Sequence, residues 1–430
     1  MQRFSRRQLM LGGAASVGAI AASGLANATP KFPEQGYWVA QADSPETTKA
    51  TLGFIALTDS APLIIAKEKG LFTKYGMKDV EVVKQASWGT TRDNLVLGSG
   101  AGGIDGAHIL TPMPYLMSTG KITDGKPVPM YVLARLNTNG QGILLSNTYK
   151  DLKVGLDSSP LKAAFAKQGG KELKVAVTFP GGTHDLWMRY WLAAGGIVPD
   201  QDVAVIVVPP PQMVANVKVS AMEAFCVGEP WPLQTVNQKV GYGALTTGEL
   251  WKDHPEKSLG MRSDWVDKNP KAAHALLQAV LEAQIWCDQA ANKQEMCQII
   301  AERKWFGVPV ADITDRSIGK FNLGSRSFEN PDLMQKYWMD QASYPFPSHD
   351  LWFLTEDIRW GYLPANTDTQ ALVQKVNRQD LWQAAAKAIG QEKAIPASPS
   401  RGVETFFDGV KFDPANPGAY LDGLAIKKLA

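Results

Sequence analysis

The sequence predicts an α/β protein with two lobes and a helical C-terminal part. Short apolar runs alternate with helical patterns from Thr51 to Leu133, the alternation starts again at Leu173, and the chain becomes mainly helical after Trp231. Such alternation is typical of a mostly parallel sheet covered by helices on both faces, and two successive units indicate two lobes. The expected boundaries are 51–138 for the first lobe, completed by about 245–430, and 139–244 for the second lobe.

The first lobe begins with a buried strand followed by a capped helix. The apolar run Thr51–Leu57 predicts the strand, and Thr58-Asp59-Ser60 offers a cap for a helix at 61–68. The glycine-rich segment Gly98–Gly103 fits the spacing of a dinucleotide-binding loop, but a helix precedes it and a strand follows. Because that chemistry needs the reverse order, we interpret the segment as a helix-to-strand turn. The other elements expected here are strands at 80–83, 104–107 and 130–133 and a helix at 91–97.

The second lobe repeats the pattern, and helices follow it. Strands are expected at 173–178, 203–208 and 224–227, with helices at 184–194, 213–218, 270–302 and 380–389. Cys287 and Cys297 fall in the same helical pattern, where ten residues separate them by about 15 Å, beyond the reach of a disulfide. We therefore expect Cys287, Cys297 and Cys226 to be buried thiols.

The N-terminus has the features of a cleaved export signal. Arg6-Arg7 precedes an apolar run at 9–25, and Ala26-Asn27-Ala28 supplies the small-residue cleavage pattern. The context of the arginine pair favours the twin-arginine route over an ordinary export signal. Residues 1–28 are thus expected to be removed, and residues 29–50 to form a polar tether. The cleavage site lacks a cysteine for a lipid anchor, so we expect a soluble periplasmic protein.

Charge and composition exclude several classes of function. The chain has 44 basic and 42 acidic residues, and removal of the signal leaves 41 basic and 42 acidic. A chain this balanced has no basic excess for nucleic acid or a membrane surface, and at 45% apolar residues it is not mainly disordered. The sequence also lacks zinc-ligand spacings, a Walker A loop and a nucleophile elbow. We expect no enzyme activity, no cofactor and no metal.

Two segments at strand-to-helix junctions suggest a ligand site. Pro180-Gly181-Gly182-Thr183 leads into the predicted helix at His184. Free N–H groups at such a junction bind anions, and His184 could add a donor; the alternative is a structural cap with an exposed histidine. Trp88 lies between a strand and a helix and could form one wall of a cleft, or be an ordinary core residue.

Several long motifs carry a family resemblance. The segment Leu57–Phe72 resembles the opening motif of substrate-binding proteins in the nitrate/sulfonate/taurine transport group. A narrower resemblance is to the nitrate- and bicarbonate-binding proteins of cyanobacterial-type ABC importers. It rests on Lys84–Gly89, Arg92–Gly98, Ile104–Pro114, Phe179–Trp187 and Val227–Trp231. The resemblance implies a C-shaped, two-lobed periplasmic binding protein of type II that holds an oxyanion in its cleft.

The resemblance also implies five ligand-binding residues. Trp88 should form a wall against the anion, Gln141 and His184 should donate hydrogen bonds, Gly228 should offer its backbone N–H, and Lys257 should supply positive charge. Nitrate binders resemble this sequence at Lys257, whereas bicarbonate binders are acidic there and use calcium. Because a buried anion beside a carboxylate would need a metal, Lys257 favours nitrate, with nitrite as a second ligand.

The implied partner is an ABC permease of the inner membrane, with the binding protein acting as a monomer. Three alternatives stay open at this point: a bicarbonate-binding transport protein, a nitrate sensor, and an enzyme related to pyrimidine-precursor synthases. The export signal disfavours the sensor, and three scattered cysteines do not match the cysteine cluster of the enzyme.

Overall fold

A computed structural model describes residues 44–167 and 172–428. The predicted signal at 1–28 and residues 29–43 of the predicted tether lie outside this range. The first strand begins at Lys49, so the last two residues assigned to the tether belong to a sheet. Within the described ranges, none of the helices combines the length and the apolar character needed to cross a bilayer.

The described residues form short strands and helices in alternation. The strands are β1 Lys49–Phe54, β2 Asp79–Lys84, β3 Gly106–Leu110, β4 Met130–Arg135, β5 Gln141–Ser146, β6 Lys174–Val177, β7 Ala204–Val207, β8 Ala224–Gly228, β9 Gly241–Thr246, β10 Lys257–Arg262, β11 Lys320–Asn322, β12 Ser327–Glu329, β13 Glu404–Thr405 and β14 Lys411–Phe412. The helices are α1 Ala61–Glu68, α2 Leu71–Lys74, α3 Trp88–Leu97, α4 Met113–Ser118, α5 Ser159–Ala166, α6 Thr183–Ala194, α7 Met213–Lys218, α8 Trp231–Asn237, α9 Ser263–Lys268, α10 Pro270–Asp288, α11 Lys293–Ala301, α12 Thr314–Ser317, α13 Pro347–Arg359, α14 Thr369–Val376, α15 Gln379–Ala388 and α16 Pro417–Gly423.

Two five-stranded sheets organise the molecule. The first sheet has the order β2-β1-β3-β10-β4, and the second has the order β7-β6-β8-β5-β9. In the first, β1 is parallel to β2 and β3, while β10 is antiparallel to β3 and β4. In the second, β6 is parallel to β7 and β8, while β5 is antiparallel to β8 and β9. Four of the five strands in each sheet therefore run in the same direction, as predicted, and one strand, β10 in the first sheet and β5 in the second, enters in the reverse direction.

The region after Trp231 is mainly helical, as predicted, with α8 to α16, but it also contributes strands that were not predicted. It contains β9 and β10, which complete the second and the first sheet respectively. All six residues of β9 and five of the six in β10 are buried, so both strands are covered on their two faces. Buried strands of this kind lack the alternation of polar and apolar residues that identifies a half-exposed strand.

The predicted helix at 270–302 is interrupted. Helix α10 ends at Asp288, and α11 starts at Lys293. The carboxylate of Asp288 accepts hydrogen bonds from three successive backbone N–H groups at 337–339, with N···O distances of 2.7 to 2.9 Å. Cys287 and Cys297 therefore lie on separate helices, so their assignment to one helix is wrong. The expectation of buried, unpaired thiols is confirmed for both and for Cys226.

Two short segments carry the chain between the sheets and lie side by side. One is 136–140, between β4 and β5, and the other is 247–256, between β9 and β10. We call them the crossing segments. They are joined by backbone hydrogen bonds from Asn139 N to His254 O at 3.1 Å and from Glu256 N to Asn137 O at 3.2 Å. Each segment is followed directly by a residue that the sequence assigned to the site: Gln141 is the first residue of β5, and Lys257 is the first of β10.

Candidate anion-binding site

The five residues predicted to bind the anion come together between the two sheets. Trp88 begins α3, His184 is the second residue of α6, and Gly228 ends β8, where it lies opposite Gln141 in the sheet. His184 contacts Gln141, and the Lys257 ammonium lies 5.8 Å from the centre of the Trp88 ring. The side chains of Trp88, Gln141, His184 and Lys257 are all completely buried. The site thus draws on both sheets and on two helix starts.

A residue that the sequence predicts to be part of a helix cap, Asp59, lies at the centre of this group. The Asp59 carboxylate is 1% exposed, and its Oδ2 lies 3.0 Å from Lys257 Nζ and 3.2 Å from Gln141 Nε2. Its other oxygen, Oδ1, is bonded to Nε2 of His108. Asp59 therefore accepts from three donors, two of which belong to residues predicted to hold the anion.

A chain of hydrogen bonds orients Gln141 and His184. The Gln141 side-chain oxygen accepts from His184 Nε2 at 2.7 Å, and the Gln141 amide nitrogen donates to Asp59. His184 Nδ1 lies 2.6 Å from the Thr178 hydroxyl, which donates to it. Burial, reinforced by the nearby charge of Lys257, holds the pKa of His184 well below its ordinary value. His184 is thus a neutral imidazole that donates through Nε2, and the alternative of an exposed capping histidine is wrong.

The loop before His184 does not offer all the free N–H groups that the sequence suggested. The N–H of Gly181 donates to the Asp185 carboxylate at 2.8 Å, and the N–H of Gly182 donates to the Phe179 carbonyl at 3.1 Å. These bonds fold the loop tightly, and Gly181 uses the left-handed conformation open to glycine, with φ of 68°. The loop therefore positions His184 rather than presenting these two backbone donors to a ligand.

Glu256 is a second buried acid beside the site. Its carboxylate accepts from Lys257 Nζ at 2.8 Å, from Trp187 Nε1 at 2.8 Å and from the Thr183 hydroxyl. Burial outweighs the attraction of Lys257 and raises the pKa of Glu256 above its ordinary value. Lys257 accordingly lies between two acidic side chains.

The pKa of each ionisable group in the site is set by burial and by the charges of its neighbours. Burial alone would raise the pKa of Asp59, but the positive charge of Lys257 and the contact with His108 lower it below the ordinary range. Burial alone would lower the pKa of Lys257, but Asp59 and Glu256 raise it. The pKa of His108 is lowered because burial outweighs the attraction of Asp59. At neutral pH the site therefore holds an ammonium and a carboxylate in contact.

Two buried polar atoms near these charges make no hydrogen bond. They are the indole N–H of Trp88 and Nδ1 of His108, whose rings lie 5.3 Å apart. A buried donor without a partner costs about 1–3 kcal/mol, so an acceptor beside Trp88 would be stabilising. Gly228 is constrained as well, because a Cβ there would lie 2.5 Å from Gln141 Oε1 and 3.3 Å from Asp59 Oδ2.

Three residues of this site were missed from the sequence: Asp59, His108 and Glu256. Each lies inside a segment that carries the family resemblance or beside a residue chosen from it. That resemblance was the one available signal, since a Thr-Asp-Ser sequence before a helix is otherwise interpreted as a cap. In the ranges 44–167 and 172–428, no group of three or more His, Cys, Asp or Glu side chains is placed to hold a metal ion.

Comparisons with known proteins agree with the motifs. A sequence model of the NMT1-like family matches residues 43–301. The chain is 66% identical over 441 residues to the nitrate/nitrite binding protein NrtA of Synechocystis sp. (strain PCC 6803), covering 99% of this chain and 98% of that protein. It is 44% identical over 402 residues to the bicarbonate-binding protein CmpA of Synechococcus elongatus, covering 90% of this chain and 89% of that protein.

A solved structure extends the comparison to the fold. The crystal structure of the periplasmic nitrate-binding protein NrtA from Synechocystis PCC 6803 matches with a TM-score of 0.88 and 72% identity, covering 89% of this chain and all of that chain. The resemblance inferred from the motifs and the two-lobed fold of periplasmic binding proteins are both confirmed.

Proposed function

Because the chain belongs to the NMT1-like family, we propose that it is the substrate-binding component of an ABC importer for nitrate, with nitrite as a second ligand. Relatives at 66% and 44% identity are named for nitrate/nitrite and for bicarbonate, so the proposal depends on what distinguishes these anions. The observation that carries it is the buried ammonium of Lys257, placed among Gln141, His184 and Trp88.

Nitrate suits this arrangement because it is a planar, monovalent and very weakly basic anion. Its oxygens accept hydrogen bonds and do not take up protons, so donors and one compensating charge are sufficient. Gln141 and the N–H of Gly228 would bond oxygens in the plane of the anion, and His184 would join them by turning its Nε2–H from Gln141 Oε1 to the anion. The Trp88 indole N–H would gain the acceptor that it lacks. Lys257 would balance the charge of a buried anion without a metal ion.

Anion titrations by calorimetry test the proposal. We expect the purified protein to bind nitrate and nitrite with affinities that calcium does not change, and to bind bicarbonate more weakly. Bicarbonate binding that requires calcium, with no heat from nitrate, would instead make the chain a bicarbonate-binding transport protein.

Location and partner complete the proposal. We propose that the chain is exported by the twin-arginine route, that it works as a monomer in the periplasm, and that it delivers its anion to an inner-membrane permease. Replacing Arg6 and Arg7 with lysines should retain the precursor in the cytoplasm. An unchanged amount of mature protein in the periplasmic fraction would point to an ordinary export signal, and a native cytoplasmic location would favour a sensor.

A further inference from the structure

Asp59 holds the donors that the proposed ligand needs. Its Oδ2 accepts from Lys257 Nζ at 3.0 Å and from Gln141 Nε2 at 3.2 Å, and it lies 3.3 Å from the position of a Cβ on Gly228. These are three of the five residues proposed to bind nitrate. We propose that Asp59 is an internal competing anion, so that nitrate binds by displacing its carboxylate from Lys257 and Gln141; this inference rests on the proposed function.

The chemistry of the two anions supports an exchange. A carboxylate and a nitrate ion are both planar, carry one delocalised negative charge, and accept hydrogen bonds in their plane. Donors arranged for one therefore suit the other. Lys257 and Gln141 would keep a negatively charged acceptor throughout, and neither would be left as an unpaired buried group, which is costly.

The charges of the site favour displacement of Asp59 over simple addition of nitrate. Lys257 Nζ already lies 3.0 Å from Asp59 and 2.8 Å from Glu256, so its single charge faces two acids. A nitrate ion placed beside all of them would bring a further negative charge into a fully buried cluster, where like charges repel strongly. Moving the Asp59 carboxylate away from Lys257 relieves that repulsion.

Hydrogen bonds hold the backbone beside Asp59 in place, so displacement would involve its side chain alone. The neighbouring Thr58 is held by its N–H to the Glu229 carbonyl at 2.8 Å and by its hydroxyl to Gln335. The second carboxylate oxygen of Asp59 is bonded to His108 and makes neither of the contacts with Lys257 and Gln141. Displacement by nitrate would consist of a rotation about the side-chain bonds of Asp59 that keeps the contact with His108 and releases Lys257 and Gln141.

Competition by a tethered carboxylate has a consequence for selectivity. Because Asp59 is part of the chain, its carboxylate acts at a fixed high effective concentration. An external anion must therefore bind Lys257 and Gln141 more strongly than the Asp59 carboxylate does. Nitrate can offer one oxygen to the Gln141 amide and another to the Lys257 ammonium. Chloride is a single spherical ion without separate acceptor atoms, so it matches these two donors poorly. Asp59 would thus reduce the affinity for every anion and exclude those that match the donors poorly.

Calorimetry on a single isosteric variant tests this role. We would titrate the wild-type protein, Asp59→Asn and the control Asp264→Asn with nitrate and with chloride. Asp264 is 65% exposed and pairs with Arg262, so its variant removes the same charge far from the site. We expect Asp59→Asn to bind nitrate at least tenfold more tightly than the wild type and to gain measurable chloride binding, with Asp264→Asn unchanged.

The outcomes separate the inference from the proposed function. Wild-type protein that binds nitrate, with a folded Asp59→Asn variant that binds it equally or more weakly, overturns the competing role of Asp59 alone. Wild-type protein that binds no nitrate overturns the proposed function and this inference together.

An infrared measurement on the wild-type protein covers the case in which the variant does not fold. With isotopically labelled aspartate carboxyl groups, saturating nitrate should shift a carboxylate stretching band as Asp59 leaves Lys257. A difference spectrum without any band from labelled aspartate would refute the displacement.

Discussion

Replacing Lys257 with methionine removes the ammonium that lies 3.0 Å from the Asp59 carboxylate and 2.8 Å from that of Glu256. Methionine keeps most of the length of the side chain and loses the charge, so the substitution tests electrostatics rather than packing. Two effects are expected, one on folding and one on binding, and they can be measured separately.

The effect on folding follows from the burial of all three groups, none of which is more than 1% exposed. Removing one partner of a buried ion pair leaves an uncompensated charge and costs about 3–5 kcal/mol. A lower melting temperature is expected, and the loss should be smaller at acidic pH, where the two carboxyl groups take up protons.

The effect on binding follows from Coulomb attraction. Two unit charges 4 Å apart attract by about 4 kcal/mol at an effective dielectric constant near 20. At roughly 1.4 kcal/mol per tenfold change, loss of that attraction should weaken nitrate binding by about three orders of magnitude. Isothermal calorimetry on the folded variant should therefore give little or no heat.

A matched control separates the two effects. Lys293 is also buried and pairs with Asp288 at 3.0 Å, in a part of the molecule outside the proposed site. Lys293→Met should lower the melting temperature and leave nitrate affinity close to that of the wild type. If folded Lys257→Met binds nitrate within tenfold of the wild type, the assignment of Lys257 as the compensating charge is refuted.

Three other predictions concern separate parts of the structure. Gly228→Ala should weaken nitrate binding about tenfold or more, because the new Cβ lies 2.5 Å from Gln141 Oε1 and overpacking costs about 1–3 kcal/mol; equal affinity in calorimetry would contradict this. Asp357 is buried with neither carboxylate oxygen bonded, and burial together with the nearby Asp185 raises its pKa well above the ordinary value. The free energy of unfolding of the wild type therefore falls as the pH rises through this raised pKa. Asp357→Asn, which has no charge to bury, should be more stable than the wild type by about 1–3 kcal/mol near pH 8, and the difference should be smaller near pH 5. Chemical denaturation at the two pH values measures both differences. The three cysteines are buried, so the native protein should react with a thiol reagent far more slowly than the unfolded protein, and rapid reaction of the native protein would contradict the described packing.

The sequence alone was sufficient to predict those helices whose ends are determined by neighbouring residues. Helices α1 and α7 have the predicted boundaries, since each follows residues that cap or start a helix and contains a compact apolar pattern. Strands β5, β9 and β10 were not predicted, because each is buried in a sheet and is defined by pairing with strands far away in sequence. The end of α10 at Asp288 was missed for a related reason, since its carboxylate bonds backbone N–H groups at 337–339.

The residues of the candidate site also fall into those that the sequence predicted and those that it did not. Trp88, Gln141, His184, Gly228 and Lys257 were identified because long motifs of the sequence resemble a known family, and the structure places them together. The position of Asp59 among them could not be predicted from its own neighbourhood, where Thr-Asp-Ser before a helix indicates a cap. Its environment is created by long-range contacts, which local patterns do not encode.

The crossing segments have a mechanical consequence for how a ligand would be held. Gln141 and Lys257 directly follow these two hydrogen-bonded segments, whereas Trp88 and His184 lie in the first turns of helices α3 and α6. If the lobes rotate about the segments, groups at the axis travel little and groups on the longer radius travel further. Gln141 and Lys257, next to such an axis, would then keep nearly the same positions relative to each other whether the lobes are open or closed.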